Sequence, residues 1–149
     1  MELERKLNSL WWTLRVAIGV TAFLAGLDKF FNLLTTWSMY LSPLAERILP
    51  VSPEHFMKAT GVIEMAVGLA ILFRYTRIAA YVAAAWLLAI AANLLVSGNF
   101  YDLAVRDVNL AIAAFVLAQL TEVRQTVTIP GVARTAPQAS ILQGDSSHA

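Results

Sequence analysis

An apolar run of about 25 residues, Leu10 to Leu34, carries three charges inside it, Arg15, Asp28 and Lys29. A helix needs ~20 residues to cross a bilayer, so the run is long enough to span one, and its charges then need partners. At helical spacing Arg15, Gly19, Ala22, Gly26 and Lys29 fall at steps of four and three and share one face. That face is small in the middle and charged at both ends. A membrane helix built this way turns the stripe toward protein and its Leu, Ile, Val, Phe and Trp bulk toward lipid.

Composition agrees with that reading. The 149 residues are 58% hydrophobic and 14% charged, with a mean hydropathy of +0.64, which is the profile of an integral membrane protein of one domain. A net charge of +1 gives no electrostatic footprint for a nucleic-acid partner. With no cysteine, the chain itself has no disulfide, thiolate metal site or Cys-x-x-Cys redox chemistry. The charged start, Met1 to Asn8, followed by an apolar run raises a signal peptide, but the run is too long for one, and a retained anchor is expected.

Four spans are expected, at about 10–34, 54–73, 77–96 and 103–120, forming an all-α four-helix bundle over residues 1–121 with a polar tail, 122–149. Trp11 and Trp12 at one end of the first span, and Phe31 to Trp37 at the other, suit the two interfacial belts. Ser42-Pro43 and Ser52-Pro53 each read as an N-cap followed by proline at the first helical position. The first should open a short interfacial helix, Pro43 to Leu49, and the second the next span. Thr76 is expected to cap the third span and Asp102 the fourth. The tail, rich in Ala, Ser, Gln and Gly, reads as mobile or draped on a partner. Arg5, Lys6, Arg74, Arg77, Arg124 and Arg134 fall on one side. The positive-inside rule therefore puts both termini in the cytoplasm.

At ~1.5 Å per residue, Asp28, Lys29, Asn93, Arg106 and Asp107 converge in the outer half of the membrane, with Glu64 just beneath them. Arg15 lies toward the opposite side. An unpaired Asp, Lys or Arg at mid-bilayer costs about 2.5–3.5 kcal/mol on insertion scales, so Glu64 should pair with Lys29, Arg106 or Arg15, or be protonated. Such a set can be a polar pocket that binds a headgroup or a quinone and relays protons. It can equally be a buried ion-pair network that fixes helix register. Gly19, Gly26, Gly61 and Gly68 read as packing positions. His55 and His148 cannot supply paired haem ligands, and no metal site, phosphate loop or Ser–His–Asp set is expected.

The Arg15…Gly19…Gly26…Lys29 stripe, Gly61-x-x-Glu64-x-x-x-Gly68, Thr76-Arg77-x-Ala79-Ala80 and Arg106-Asp107 together resemble the DoxX family of small four-helix membrane proteins, over roughly Leu10 to Leu120. The resemblance implies a membrane subunit that accompanies a redox enzyme such as a thiosulfate:quinone oxidoreductase. Relatives that handle disulfide redox carry a cysteine pair, which this chain lacks. The expected role is an accessory or structural subunit of a larger redox or quinone-linked complex in a bacterial or archaeal inner membrane. No intrinsic cofactor is expected; a bound quinone or lipid is compatible with the pocket reading, and other subunits or further copies of the chain would be the partners. The alternatives are a small quinone-linked oxidoreductase subunit, with Lys29, Glu64 and Arg106 holding a quinone or an anionic sulfur substrate, and, third, an oligomeric transporter.

Overall fold

The computed structural model describes residues 2–127, and these are all-helical, without a strand. Helix α1 runs from Glu2–Phe31 and α2 from Pro43–Ile48, after a 3-10 turn at Trp37–Tyr40. Helices α3, Pro53–Leu72, α4, Thr76–Ser97, and α5, Tyr101–Val127, complete the chain. Four of these, α1, α3, α4 and α5, are long and apolar enough to cross a membrane. That is the make-up of an integral membrane protein.

Local chemistry explains most boundaries. Ser42 caps α2 by accepting from the Ala45 amide at 3.2 Å, and Ser52 caps α3 by accepting from His55, each with proline at the start of the helix. Helix α4 ends on Gly98, whose φ of 76° is the left-handed conformation that glycine adopts without a Cβ penalty.

Several expectations shift. Helix α1 begins eight residues before Leu10, because Glu2 to Asn8 are good helix formers and Glu2 pairs with Lys6 one turn on, at 2.9 Å. It stops at Phe31 because Asn32 turns left-handed, with φ 51°. Thr76 is not a cap. It is the first residue of α4, and its hydroxyl donates back to the Ile71 carbonyl at 2.8 Å, closing the end of α3. Asp102 likewise lies inside the first turn of α5. Helix α5 continues past Leu120 to Val127, into the segment expected as polar tail, because its residues there have partners: Thr121 on Trp11, and Glu122 on Tyr81 and Arg77. Residues 128–149 lie outside the described residues.

The bundle is two antiparallel pairs set side by side. Helix α1 packs most extensively on α3, and α4 on α5; α3 against α4 and α1 against α5 close the ring. The α1–α3 seam is made of glycine. A Cβ on Gly26 would stand 2.5 Å from the Gly61 carbonyl oxygen, and one on Gly61 would stand 2.6 Å from that of Gly26. Gly68 meets the Gly19 carbonyl in the same way, at 2.7 Å. The backbones touch where no side chain fits, as small residues permit in membranes. The α4–α5 seam uses alanine: Ala79, Ala80, Ala83, Ala114 and Ala118 are buried around Ile71 and Leu117. Val16, Val20, Leu24, Ile112 and Phe115 stay exposed on the outside, where a membrane would meet them.

Candidate functional site

The stripe on α1 delivers its two cations to opposite ends of the bundle. Toward the end that carries α2, Lys29 donates to the Glu64 carboxylate of α3 at 2.6 Å, and the two residues are 5% and 8% exposed. Glycine puts them there. Gly26 lies three residues before Lys29 and Gly61 three before Glu64, so close backbone contact sets the distance between the two side chains. The pair is roofed by indoles. Lys29 Nζ lies 3.8 Å from the centre of the Trp37 ring, a cation–π contact. Trp86 of α4 donates through Nε1 to the other Glu64 oxygen at 3.4 Å.

Asp28 faces a different task. Its carboxylate accepts from the Leu33 and Leu34 amides at 3.0–3.2 Å and from Trp37 Nε1 at 2.8 Å. Three neutral N–H groups, not a cation, therefore hold it, and they pin the chain as it leaves α1. Trp37 thus joins the neighbours Asp28 and Lys29, one through its N–H and the other through its ring face.

Asp107 is buried beside this cluster, within electrostatic reach of Lys29. Its hydrogen-bonded partner is its own neighbour Arg106, with Nε and Nη2 at 3.1 and 3.0 Å from Oδ1. The Arg106 side chain is 56% exposed, so it reaches outward. Its ion pair is with Asp107, while Glu64 pairs with Lys29. Asn93, expected in the same cluster, instead holds the loop. Its Oδ1 accepts from the Ser42 amide at 3.1 Å and its Nδ2 donates to the Tyr40 carbonyl at 2.7 Å. This fastens the 3-10 turn and α2 onto α4, next to a groove of about 260 Å³ lined by Ile48, Ala92 and Val96 among others.

Arg15 stands at the other end and makes no ion pair with Glu64. Its Nε donates to the Ile71 carbonyl at 2.9 Å, and its Nη2 donates to Leu72 at 2.6 Å and to Phe73. These are the carbonyls a helix leaves without partners at its C-terminus. A guanidinium suits them in geometry and in sign. The same guanidinium lies 4.6 and 4.8 Å from the ring centres of Trp11 and Trp12, and Trp11 in turn donates to Thr121 at 2.8 Å.

So the seven expected polar residues divide among three places. Lys29, Glu64, Asp28, Arg106 and Asp107 share one neighbourhood, Asn93 holds the loop, and Arg15 closes the far end of α3. Every fully buried side-chain nitrogen and oxygen among the described residues has a hydrogen-bond partner, and no group of three His, Asp or Glu side chains there is placed to hold a metal. Trp37 and Trp86 were not singled out from the sequence as site residues. An indole between charged residues looks like an interfacial anchor until its partner is seen. No family model, curated protein or solved structure matches the chain, so the DoxX resemblance rests on the residues that carry it.

Proposed function

We propose that this chain is a DoxX-like accessory subunit, a helical scaffold that works by assembling with a larger redox or quinone-linked complex of a bacterial or archaeal inner membrane. One observation carries the reading: the central intramembrane charges neutralise each other, with Lys29 and Glu64 sealed against one another at 2.6 Å. A buried pair bonded at this distance and roofed by two indoles turns its charges on each other rather than on a substrate, and it fixes how α1 meets α3. Chemistry would then come from the partner. In this reading both termini face the cytoplasm, because the basic residues gather at their end, and α2 lies on the opposite membrane surface.

The test is purification of the full-length protein from its native membrane in a mild detergent, followed by mass spectrometry of what remains bound. A stoichiometric redox complex with this chain at fixed copy number is the expected result. Isolation as a lone chain or a homo-oligomer under conditions that keep other membrane complexes intact overturns the proposal. A second reading, a quinone-linked oxidoreductase subunit, draws on the aromatic surroundings of the pair, since a quinone ring can stack on indole. It requires the Lys29–Glu64 bond to open. Substrate-dependent quinone reduction by the purified chain that is lost in Glu64→Gln would favour it, and unchanged turnover in that variant would end it.

A further inference from the structure

The larger cavity lies at the opposite end from the ion pair. It is a groove of about 680 Å³ between the start of α1, the α3–α4 turn and the end of α5. Four arginines line it: Arg15 from α1, Arg74 from the α3–α4 turn, Arg77 from the start of α4, and Arg124 from α5. None of its lining residues is acidic. The lining is therefore rich in guanidiniums, converging from α1, the α3–α4 corner and α5, with Glu122 just outside it on Arg77.

Three of the four arginines are held in place. Arg15 is fixed by the α3 carbonyls, and Arg77 by Glu122 at 3.0 Å through Nε. Arg15 and Arg124 both lie on the Trp11 indole, with Cζ 4.6 and 4.0 Å from its ring centre. Two guanidiniums thus share one ring, which gathers positive charge at this end of the bundle. The first residues of α4, Thr76 to Ile78, also line the groove, and no side chain caps that helix. Its amides add a favourable field for an anion, although the arginines and the cavity carry the inference.

The rim is of the opposite kind. Phe73, Tyr75 and Ile78 line the groove and are exposed, and Trp12 is exposed beside Trp11 on α1. Exposed apolar side chains set among exposed arginines, at the end of a membrane helix bundle, match a molecule that is anionic at one end and apolar at the other. Basic pockets between membrane helices take lipid headgroups in this way. We propose that the groove binds the phosphate of an anionic phospholipid from the leaflet at the terminal end of the bundle, with its acyl chains along Phe73 and Ile78. The site is independent of the ion pair and of the accessory-subunit reading, so either can fail without the other.

The probe is phosphatidylglycerol. The full-length chain in a neutral detergent would be titrated with it, with phosphatidylcholine, and with inorganic phosphate, and bound molecules counted by native mass spectrometry. One phosphatidylglycerol per chain is expected, held about tenfold more tightly than phosphatidylcholine, with the preference lost in the double variant Arg74→Gln/Arg124→Gln and kept in Arg74→Lys/Arg124→Lys. Equal binding of the two lipids overturns the proposal, as does an unchanged preference in the glutamine variant. Displacement of the lipid by millimolar inorganic phosphate would assign the groove to a free anion instead and also overturn it. If the glutamine variant does not fold, the wild-type chain still decides. Its tryptophan emission should change with phosphatidylglycerol, and the change should weaken as salt is raised; a change insensitive to salt refutes a site built on arginine.

Discussion

Replacing Lys29 and Glu64 one at a time and then together separates a pair that fixes the fold from one that serves chemistry. The side chains are 5% and 10% exposed and bonded at 2.6 Å. Lys29→Met leaves the Glu64 carboxylate buried without its cation, and Glu64→Leu leaves the ammonium without its anion. Removing one member of a buried pair costs about 3–5 kcal/mol, in the same range as the ~2.5–3.5 kcal/mol for an unpaired charge at mid-bilayer. Each single variant should therefore lose about 3 kcal/mol of stability. The double variant should recover most of it, because two apolar groups need no partner. What it does not recover is the cation–π contact on Trp37, about 0.5–2 kcal/mol, and the long Trp86 bond to Glu64. The double variant is thus expected within about 2 kcal/mol of wild type, far above the sum of the single losses. Reversible unfolding in mixed micelles, followed by tryptophan fluorescence, measures all four corners of the cycle. A double variant as damaged as the two singles combined, or singles that lose under about 1 kcal/mol, would refute the account. A double variant that folds and still assembles with partners would assign the pair to structure alone.

Three further perturbations probe the rest of the frame. Gly26→Val forces a Cβ toward the Gly61 carbonyl and the Met65 amide, both backbone atoms, so it should cost about 2 kcal/mol or more in the same unfolding assay; Gly98→Ala, with open space around it but φ at 76°, should cost only about 1 kcal/mol. Arg15→Leu takes the donor from the Leu72 and Phe73 carbonyls and leaves the Ile71 carbonyl with Thr76 alone, and should destabilise by about 2–3 kcal/mol; near-equal stability of Arg15→Leu and wild type would contradict the capping role. Asn93→Ala frees the Tyr40 carbonyl and the Ser42 amide; hydrogen exchange should speed up across residues 37–49 while the four long helices keep their protection, and uniform exchange changes would argue against a local fastener.

The four long helices were legible because apolar length and helical period are properties of consecutive residues. The Ser-Pro caps at Ser42 and Ser52 were legible for the same reason, since a cap and its target amide lie three residues apart. The glycine stripe predicted a close seam, and Gly19, Gly26, Gly61 and Gly68 form one. What the sequence did not show was which polar group each charge would choose. Asp28 ended among three N–H donors, Arg15 on three carbonyls, and Asn93 on the loop. Charge counting sees only opposite charges, whereas backbone amides and carbonyls compete for the same side chains at every helix end. The basic groove was missed in a related way. Arg74 and Arg77 were visible in the turn and served only to orient the chain, because nothing in sequence order brings Arg15 and Arg124 to them.

The spacing along α1 explains why the charges and glycines occur together. Seven residues separate Gly19 from Gly26, and seven separate Gly61 from Gly68, so both contacts fall on one face of each helix, two turns apart. Arg15 and Lys29 bracket that seam at a distance of ~21 Å along the axis. In lipid the hydrophobic effect does not pull one apolar helix against another, so close packing alone leaves α1 free to slide by a turn against α3. A slide of one turn would move Lys29 away from Glu64 and Arg15 away from Ile71 together, and each loss leaves a buried polar group without its partner. The polar contacts therefore select the register that the glycines permit. Two more of them, Trp86 to Glu64 and Trp11 to Thr121, extend the same logic across to α4 and α5, one toward each end of the bundle. The contacts that fix the register leave the apolar exterior and the outer arginines of the groove, Arg74, Arg77 and Arg124, exposed.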